Sequence, residues 1–183
     1  MSWMIDFHHT QIQFVARHMM ITKVHGQFEK FTGMVNLDEK DPAKTSVDVQ
    51  IETASVNTRD PKRDGHLRSA DFFNSEAYPY MTFKSKQVKV VDDAHALMVG
   101  DLTIRNVTRE VTLNVEFEGK GMNPFGKIAY GFTAVTHINR KDWGLTWNVA
   151  LETGGMLVSD EIEISIEIEL VKEPEPVQEA QAV

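Results

Sequence analysis

The sequence predicts an all-β protein, an antiparallel barrel of about eight strands with a short helix closing one end. Three observations lead there. Apolar and polar residues alternate without a fault through residues 161–170, EIEISIEIEL. Ile162, Ile164, Ile166, Ile168 and Leu170 therefore share one face of an extended chain, and Glu161, Glu163, Ser165, Glu167 and Glu169 the other. The same period of two recurs along the whole chain, with no alternating helices of the kind a parallel sheet needs. At roughly 3.3 Å per residue the last strand is also ~33 Å long, about twice the common length, which suits strands whose dry faces line a shared interior.

Taken in order, Ile12, Phe14 and Ala16 share a face in TQIQFVARH. Residues 24–37 read as the next strand, with Gly26 and Gly33 as bends or bulges. After a turn signal at 39–42, SVDVQIE places Val47, Val49 and Ile51 together. Residues 60–74, DPKRDGHLRSADFFN, interrupt the alternation. Asp60 suits a helix N-cap and Pro61 the first helical position, Leu67, Ala70 and Phe73 fall at helical spacing, and Gly65 weakens the helix. Strands follow at 80–91 and 96–105, separated by Asp92-Asp93. Val111, Leu113, Val115 and Phe117 then share a face, as do Ile128, Tyr130, Phe132 and Ala134. The intervening GKGMNPFG lacks the spacing that cradles a phosphate and reads as a hairpin loop. After Val171 the chain becomes acidic, proline-containing and aperiodic, so residues 1–171 form the predicted domain and 172–183 a disordered tail.

A chain of 183 residues is long enough to bury a sizeable core in one domain. Nineteen Lys plus Arg against 27 Asp plus Glu give a net charge of −8, which disfavours nonspecific attraction to nucleic acid or anionic membrane surfaces while leaving room for a local basic patch. The absence of cysteine excludes disulfides, thiolate catalysis and cysteine-ligated metals. The start, MSWMIDFHHTQ, does not resemble a signal peptide, and no apolar run is long enough for an integral membrane segment, so the expected location is cytoplasmic.

Chemistry-bearing constellations are sparse. His8, His9, His18 and His25 lie close in sequence without the compact spacing of a metal site, and no GxSxG elbow marks a serine hydrolase, so neither a metal nor a catalytic residue is assigned. Lys84, Lys86 and Lys89 read as a solvated strand face that resists edge pairing. Arg140 and Asp142 share strand parity and are expected to pair near the barrel mouth, with Arg59, Arg68, Asp71 and Arg105 as candidates for the same polar network.

Several motifs, in this order, give the chain a family likeness. They are Trp3, Ile5, Asp6 and His9-Thr10; Phe14 and His18; and Val24-x-Gly26-x-Phe28-x-x-Phe31-x-Gly33. Thr58-Arg59-Asp60, the block from Asp64 to Phe73 that reads DGHLRSADFF, Tyr78-Pro79 and Thr82-Phe83-Lys84-Ser85 follow. The series ends with Gly100-Asp101-Leu102-Thr103-Ile104-Arg105 before Thr108 and Val111, and with Asn139-Arg140-Lys141-Asp142-Trp143-Gly144. Over residues 3–171 the chain resembles the YceI-like family of lipid-binding barrels. The resemblance implies an extended, lipocalin-like barrel with an elongated apolar pore. It also implies a long amphiphile as ligand (a polyisoprenoid, an isoprenoid quinone or a fatty-acid-derived lipid) and a homodimer as a common state.

The alternation by itself places Phe14, Ala16, Met81, Phe83, Leu102, Ile104, Leu113, Val115, Phe132, Ile164 and Ile166 on a dry interior. Such a lumen would bury an apolar tail at roughly 0.8 kcal/mol per CH₂. The residues alone leave open whether that interior holds a ligand or is filled by its own side chains, which eight strands allow. With the resemblance, the expected function is binding, storage or transport of an apolar lipid, without catalysis. An enzyme acting on such a lipid, and a packed interaction barrel without ligand, are the alternatives.

Overall fold

The computed structural model describes residues 3–173, which build a closed antiparallel β-barrel with one short α-helix. The strands are β1 (Trp3–Ile5), β2 (Gln11–His18), β3 (Thr22–Phe28), β4 (Phe31–Asn36), β5 (Ser46–Glu52) and β6 (Val56–Asn57). Helix α1 (Pro61–Arg68) follows, then β7 (Tyr80–Val90), β8 (His95–Ile104), β9 (Val107–Met122), β10 (Ile128–Asn139) and β11 (Glu161–Lys172).

The eleven strands form eight staves. β1 and β2 both pair with β11 and together make one stave, interrupted by a turn at residues 6–10. β3 and β4 make the second, pairing with β2 and β1 respectively. β5 and β6 make the third, against β4 and β3. From β5 the meander runs β7, β8, β9, β10, β11, each strand paired with the next, and β11 returns to β1. The β1–β11 and β5–β7 pairings cover edges that an open meander would expose, while the start of β3 and the end of β7 keep a partner strand on one side alone.

Three interruptions line up across neighbouring staves. The amide of Glu29 donates to the carbonyl of Ser55 (3.2 Å), and that of Glu52 to the carbonyl of Lys30 (2.9 Å). Residues 24–37 are therefore two strands, broken at Glu29–Lys30 and not at a glycine. Gly26 and Gly33 sit inside regular ladders instead. A Cβ on Gly26 would come within 2.2 Å of the Phe14 ring, and one on Gly33 within 2.9 Å of the Asp48 carbonyl, so both glycines make room for a neighbour.

Gly100 does the same on β8, where a Cβ would meet the Phe83 ring at 2.5 Å and the Lys84 carbonyl at 2.7 Å. Gly100→Ala is thus expected to cost about 1–3 kcal/mol by overpacking and to push Phe83 inward. Urea unfolding measures this, and an unchanged midpoint would refute the packing role.

Helix α1 is shorter than the predicted span. Asp60 caps it, its Oδ1 accepting from the amides of Lys62 (3.0 Å) and Arg63 (3.1 Å), with Pro61 in the first turn. Residues 69–74 continue as turns that carry Phe72 and Phe73 into the core beside Leu67. Thr58 fixes the helix from below: its amide and hydroxyl both donate to Asp64 Oδ1 (2.8 and 2.6 Å). The segment 119–126 is a β-hairpin tip closed by Asn123, whose Oδ1 accepts from the amides of Phe125 and Lys127. Lys86 bridges Asp101 and Glu110 on the outer wall, and because β5 pairs with β7 only over residues 80–84, Lys89 lies on a stretch of β7 whose ladder runs to β8 alone. Lys172, assigned to the tail, is the last residue of β11; the rest of the predicted tail from 174 on lies outside the described residues.

Candidate functional site, an apolar pore

Strand parity sets the chemistry of the interior. Ile162, Ile164, Ile166, Ile168 and Leu170 all face the lumen from β11, and eight residues of strand span roughly 26 Å. The lumen encloses a cavity of about 320 Å³, within the range of about 300–1,000 Å³ typical of small-molecule pockets. The barrel is not filled by its own side chains. Ile162, Ile164, Ile166 and Ile168 are only half-buried although they point inward, because what they border is empty space.

All eleven residues that the alternation assigned to the interior stand on the cavity wall. β2 contributes Phe14 and Ala16, β7 Met81 and Phe83, β8 Leu102 and Ile104, β9 Leu113 and Val115, β10 Phe132, and β11 Ile164 and Ile166. The wall also includes residues that were not singled out, among them Phe28, Met98, Leu145 and Val158. Phe28 and Met98 lie in segments already read as strands, so period two could have found them. Leu145 and Val158 lie between β10 and β11, where no periodicity marks them.

The two ends differ. At one, Ile5, Val35, Leu37 and Leu170 narrow the lumen, and Pro42 is the one lining residue among those described that is exposed to solvent. At the other, Leu67, Phe72 and Phe73 cover the lumen from the helix side, and the His66 ring packs edge to face against both Phe72 and Trp147, which meet each other tilted. This is the closed end that the helix was expected to make.

Arg140 is the one charged lining residue among those described, and it is 3% exposed. It does not pair with Asp142. Asn139 opens a 3₁₀ turn over Arg140–Trp143, which breaks the strand parity on which that pairing rested. The guanidinium instead donates to carbonyls: Nε to Ser159 (2.9 Å), Nη1 to Leu145 (2.6 Å) and Trp147 (2.9 Å). Asp160 Oδ1 lies 3.8 Å from Nη2. Burial lowers the Arg140 pKa and the Asp160 charge opposes that shift. Its donors thus tie the segment between β10 and β11 to the barrel. The wider network does not form either: Asp71 bonds His66 (2.9 Å), and Arg105 lies over the Tyr78 ring.

Among the described residues, one group has the composition of a metal site: Asp6, His9 and Glu169. Its convergence is explained by hydrogen bonding. His9 Nδ1 lies 2.9 Å from Asp6 Oδ2 and 4.0 Å from Glu169 Oε1, and Asp6 Oδ1 accepts from the His8 amide. The bond to Asp6, with both carboxylate charges, raises the His9 pKa above its ordinary 6.5. The same bond depresses that of Asp6 below 3.8. His9 therefore contributes stability that is complete below its unfolded pKa and lost as pH rises through the raised folded value. The Asp6 contribution is present above 3.8 and lost as pH falls through its depressed value. The stability difference between wild type and His9→Gln should be largest near about pH 5–6 and shrink toward about pH 8. Urea midpoints across that range check it, and a pH-independent difference would sink the assignment.

Comparison with known proteins adds an independent line. The family model described as the YceI-like domain matches residues 3–170. UPF0312 protein SAS2572 of Staphylococcus aureus is 34% identical over 169 residues, covering 92% of this chain and 96% of its own. The Campylobacter jejuni YCEI protein superposes with a TM-score of 0.74 at 33% identity, over 86% of this chain and 90% of its own. Burkholderia cenocepacia BcnA does so with a TM-score of 0.77 at 24% identity, over 90% and 98%. A polyisoprenoid binding domain from Saccharophagus degradans shares the fold with a TM-score of 0.66 at 15% identity, over 94% and 99%.

Proposed function

We propose, from the premise that this chain belongs to the YceI-like family, that its pore binds the tail of a long apolar amphiphile and that the protein acts as a carrier or reservoir for it. The observation that supports this most is the unfilled lumen, walled along roughly 26 Å by inward aliphatic and aromatic side chains. Empty apolar space in a protein interior forfeits dispersion contacts, and an alkyl or isoprenyl chain restores them while leaving water. Ten buried CH₂ groups contribute roughly 8 kcal/mol before the entropic costs of association. Arg140 on the wall directs its donors to backbone carbonyls, which suits retention of a tail better than acid–base work on it. The related fold from Saccharophagus degradans is a polyisoprenoid binding domain, which makes a polyisoprenoid, a quinone with such a tail, or a fatty-acid derivative the ligand class to test first.

Native mass spectrometry of freshly purified protein, followed by organic extraction, is the direct experiment. One stoichiometric lipid per chain is expected, and the same spectrum reports whether the protein is a homodimer. A ligand-free mass, together with no uptake of a polyisoprenyl or fatty-acyl probe by delipidated protein, would overturn the reading.

A further inference from the structure

The β2–β3 hairpin ends in an exposed apolar tip. Ile21 is 75% and Met20 66% exposed, with Met19 beside them. Met19 and Met20 both adopt left-handed backbone (φ 52° and 58°), and the amide of Ile21 donates to the carbonyl of His18. A tight turn with both central residues left-handed strongly favours Asn-Gly, so two methionines there work against folding. The tip is also built into the rest of the molecule. The Met19 amide donates to the Leu157 carbonyl (2.8 Å), and the side chain of Met20 lies against Gly155, bringing exposed Val149 and Met156 into the same patch.

Charge sets the hairpin apart as well. From Phe7 to Phe28 the chain has no Asp or Glu, although it holds 27 in all, and Arg17, His18, Lys23 and His25 flank the apolar tip. The 149–157 segment carries a single carboxylate, Glu152. An apolar tip between basic flanks complements an anionic bilayer, with side chains entering the acyl boundary and cations meeting headgroups. The inner face of the same hairpin, Ile12, Phe14 and Ala16, lines the pore.

We infer that the Met19–Ile21 tip docks the barrel on anionic membrane surfaces, the source from which its apolar cargo is drawn. This rests on the carrier reading for its purpose, but not for its test. Delipidated protein is sedimented with vesicles of phosphatidylcholine alone or mixed with phosphatidylglycerol. Wild type should partition at least tenfold more strongly onto the anionic vesicles. Met19→Asn with Met20→Gly should unfold at higher urea, since the turn is relieved, yet lose at least tenfold in vesicle binding. Arg17→Glu with Lys23→Glu should lose as much. A Phe132→Glu variant, designed to empty the pore, should still bind vesicles, which separates this inference from the carrier reading. No vesicle binding by wild type, equal binding to neutral vesicles, or undiminished binding by the turn variant would overturn it.

Discussion

Replacing Phe132 with glutamate is expected to give a folded protein that retains no lipid. Phe132 faces the lumen from the middle of β10, its ring tilted against that of Phe117, which also meets Tyr130. Among the described residues, a carboxylate there has no cation on the lumen wall except Arg140, whose donors are already engaged. It would either draw water into the cavity or take up a proton, and in both cases a bound tail loses apolar wall and gains an unpaired polar group. At about 4 kcal/mol for that burial, affinity falls by about a thousandfold. Ala16→Trp attacks the same space without charge, since Ala16 also stands on the wall. Native mass spectrometry of both variants, with near-ultraviolet circular dichroism to establish folding, measures the effect. Lipid retained at wild-type stoichiometry by folded Phe132→Glu would remove Phe132 from the binding surface.

Arg140→Met should have the largest effect on stability, a loss of about 3 kcal/mol. The methionine keeps much of the aliphatic stem but leaves the carbonyls of Leu145, Trp147 and Ser159 without the donors that now satisfy them. The 144–160 segment would loosen first, and with it the His18–Val158 bridge that fastens it to β2. Urea unfolding gives the magnitude. Asp160→Asn serves as the control, because Asp160 is 3.8 Å from the guanidinium and partly exposed, so its removal should cost far less. A loss below about half a kcal/mol for Arg140→Met would show that water replaces the guanidinium at no cost.

What the sequence revealed and what it concealed follow from the same physics. A period of two fixes which face a residue occupies wherever the strand is regular, so the inward row of β11 and its partners on β2, β7, β8, β9 and β10 were legible from alternation alone. Alternation ends where the backbone leaves the strand. The 3₁₀ turn after Asn139 sent Arg140 toward Ser159 and Leu145 instead of Asp142, and nothing periodic between residues 144 and 160 announced the segment it holds. The break at Glu29–Lys30 shows in the pattern as a change of phase, since the inward positions are even up to Phe28 and odd from Phe31, whereas the glycines that resembled bends serve to admit the Phe14 ring and the Asp48 backbone. Hollowness was illegible for a different reason. Isoleucines spaced every second residue look the same whether they meet across the axis or stop short of it, and only the curvature of the closed sheet decides.

The aligned interruptions divide the barrel into two unlike halves. Below them, β1, β4 and β5 complete a hoop with β7 to β11, every stave backbone-paired with its neighbours, β1 to β4 through the single pair Trp3–Val35. Above them, β6 contributes two residues against Gln27 and Phe28, and the remaining span between β3 and β7 is bridged by α1 and its following turns through side chains such as Leu67 and Phe73. The lower half is a hoop that cannot widen without breaking a strand pair, whereas the upper half is a clasp that can part by separating side chains. Amide protons should accordingly exchange slowly on β5 and β11 and fastest on α1 and the distal part of β3, so a cargo far longer than the mouth is wide could enter sideways while the hoop stays shut.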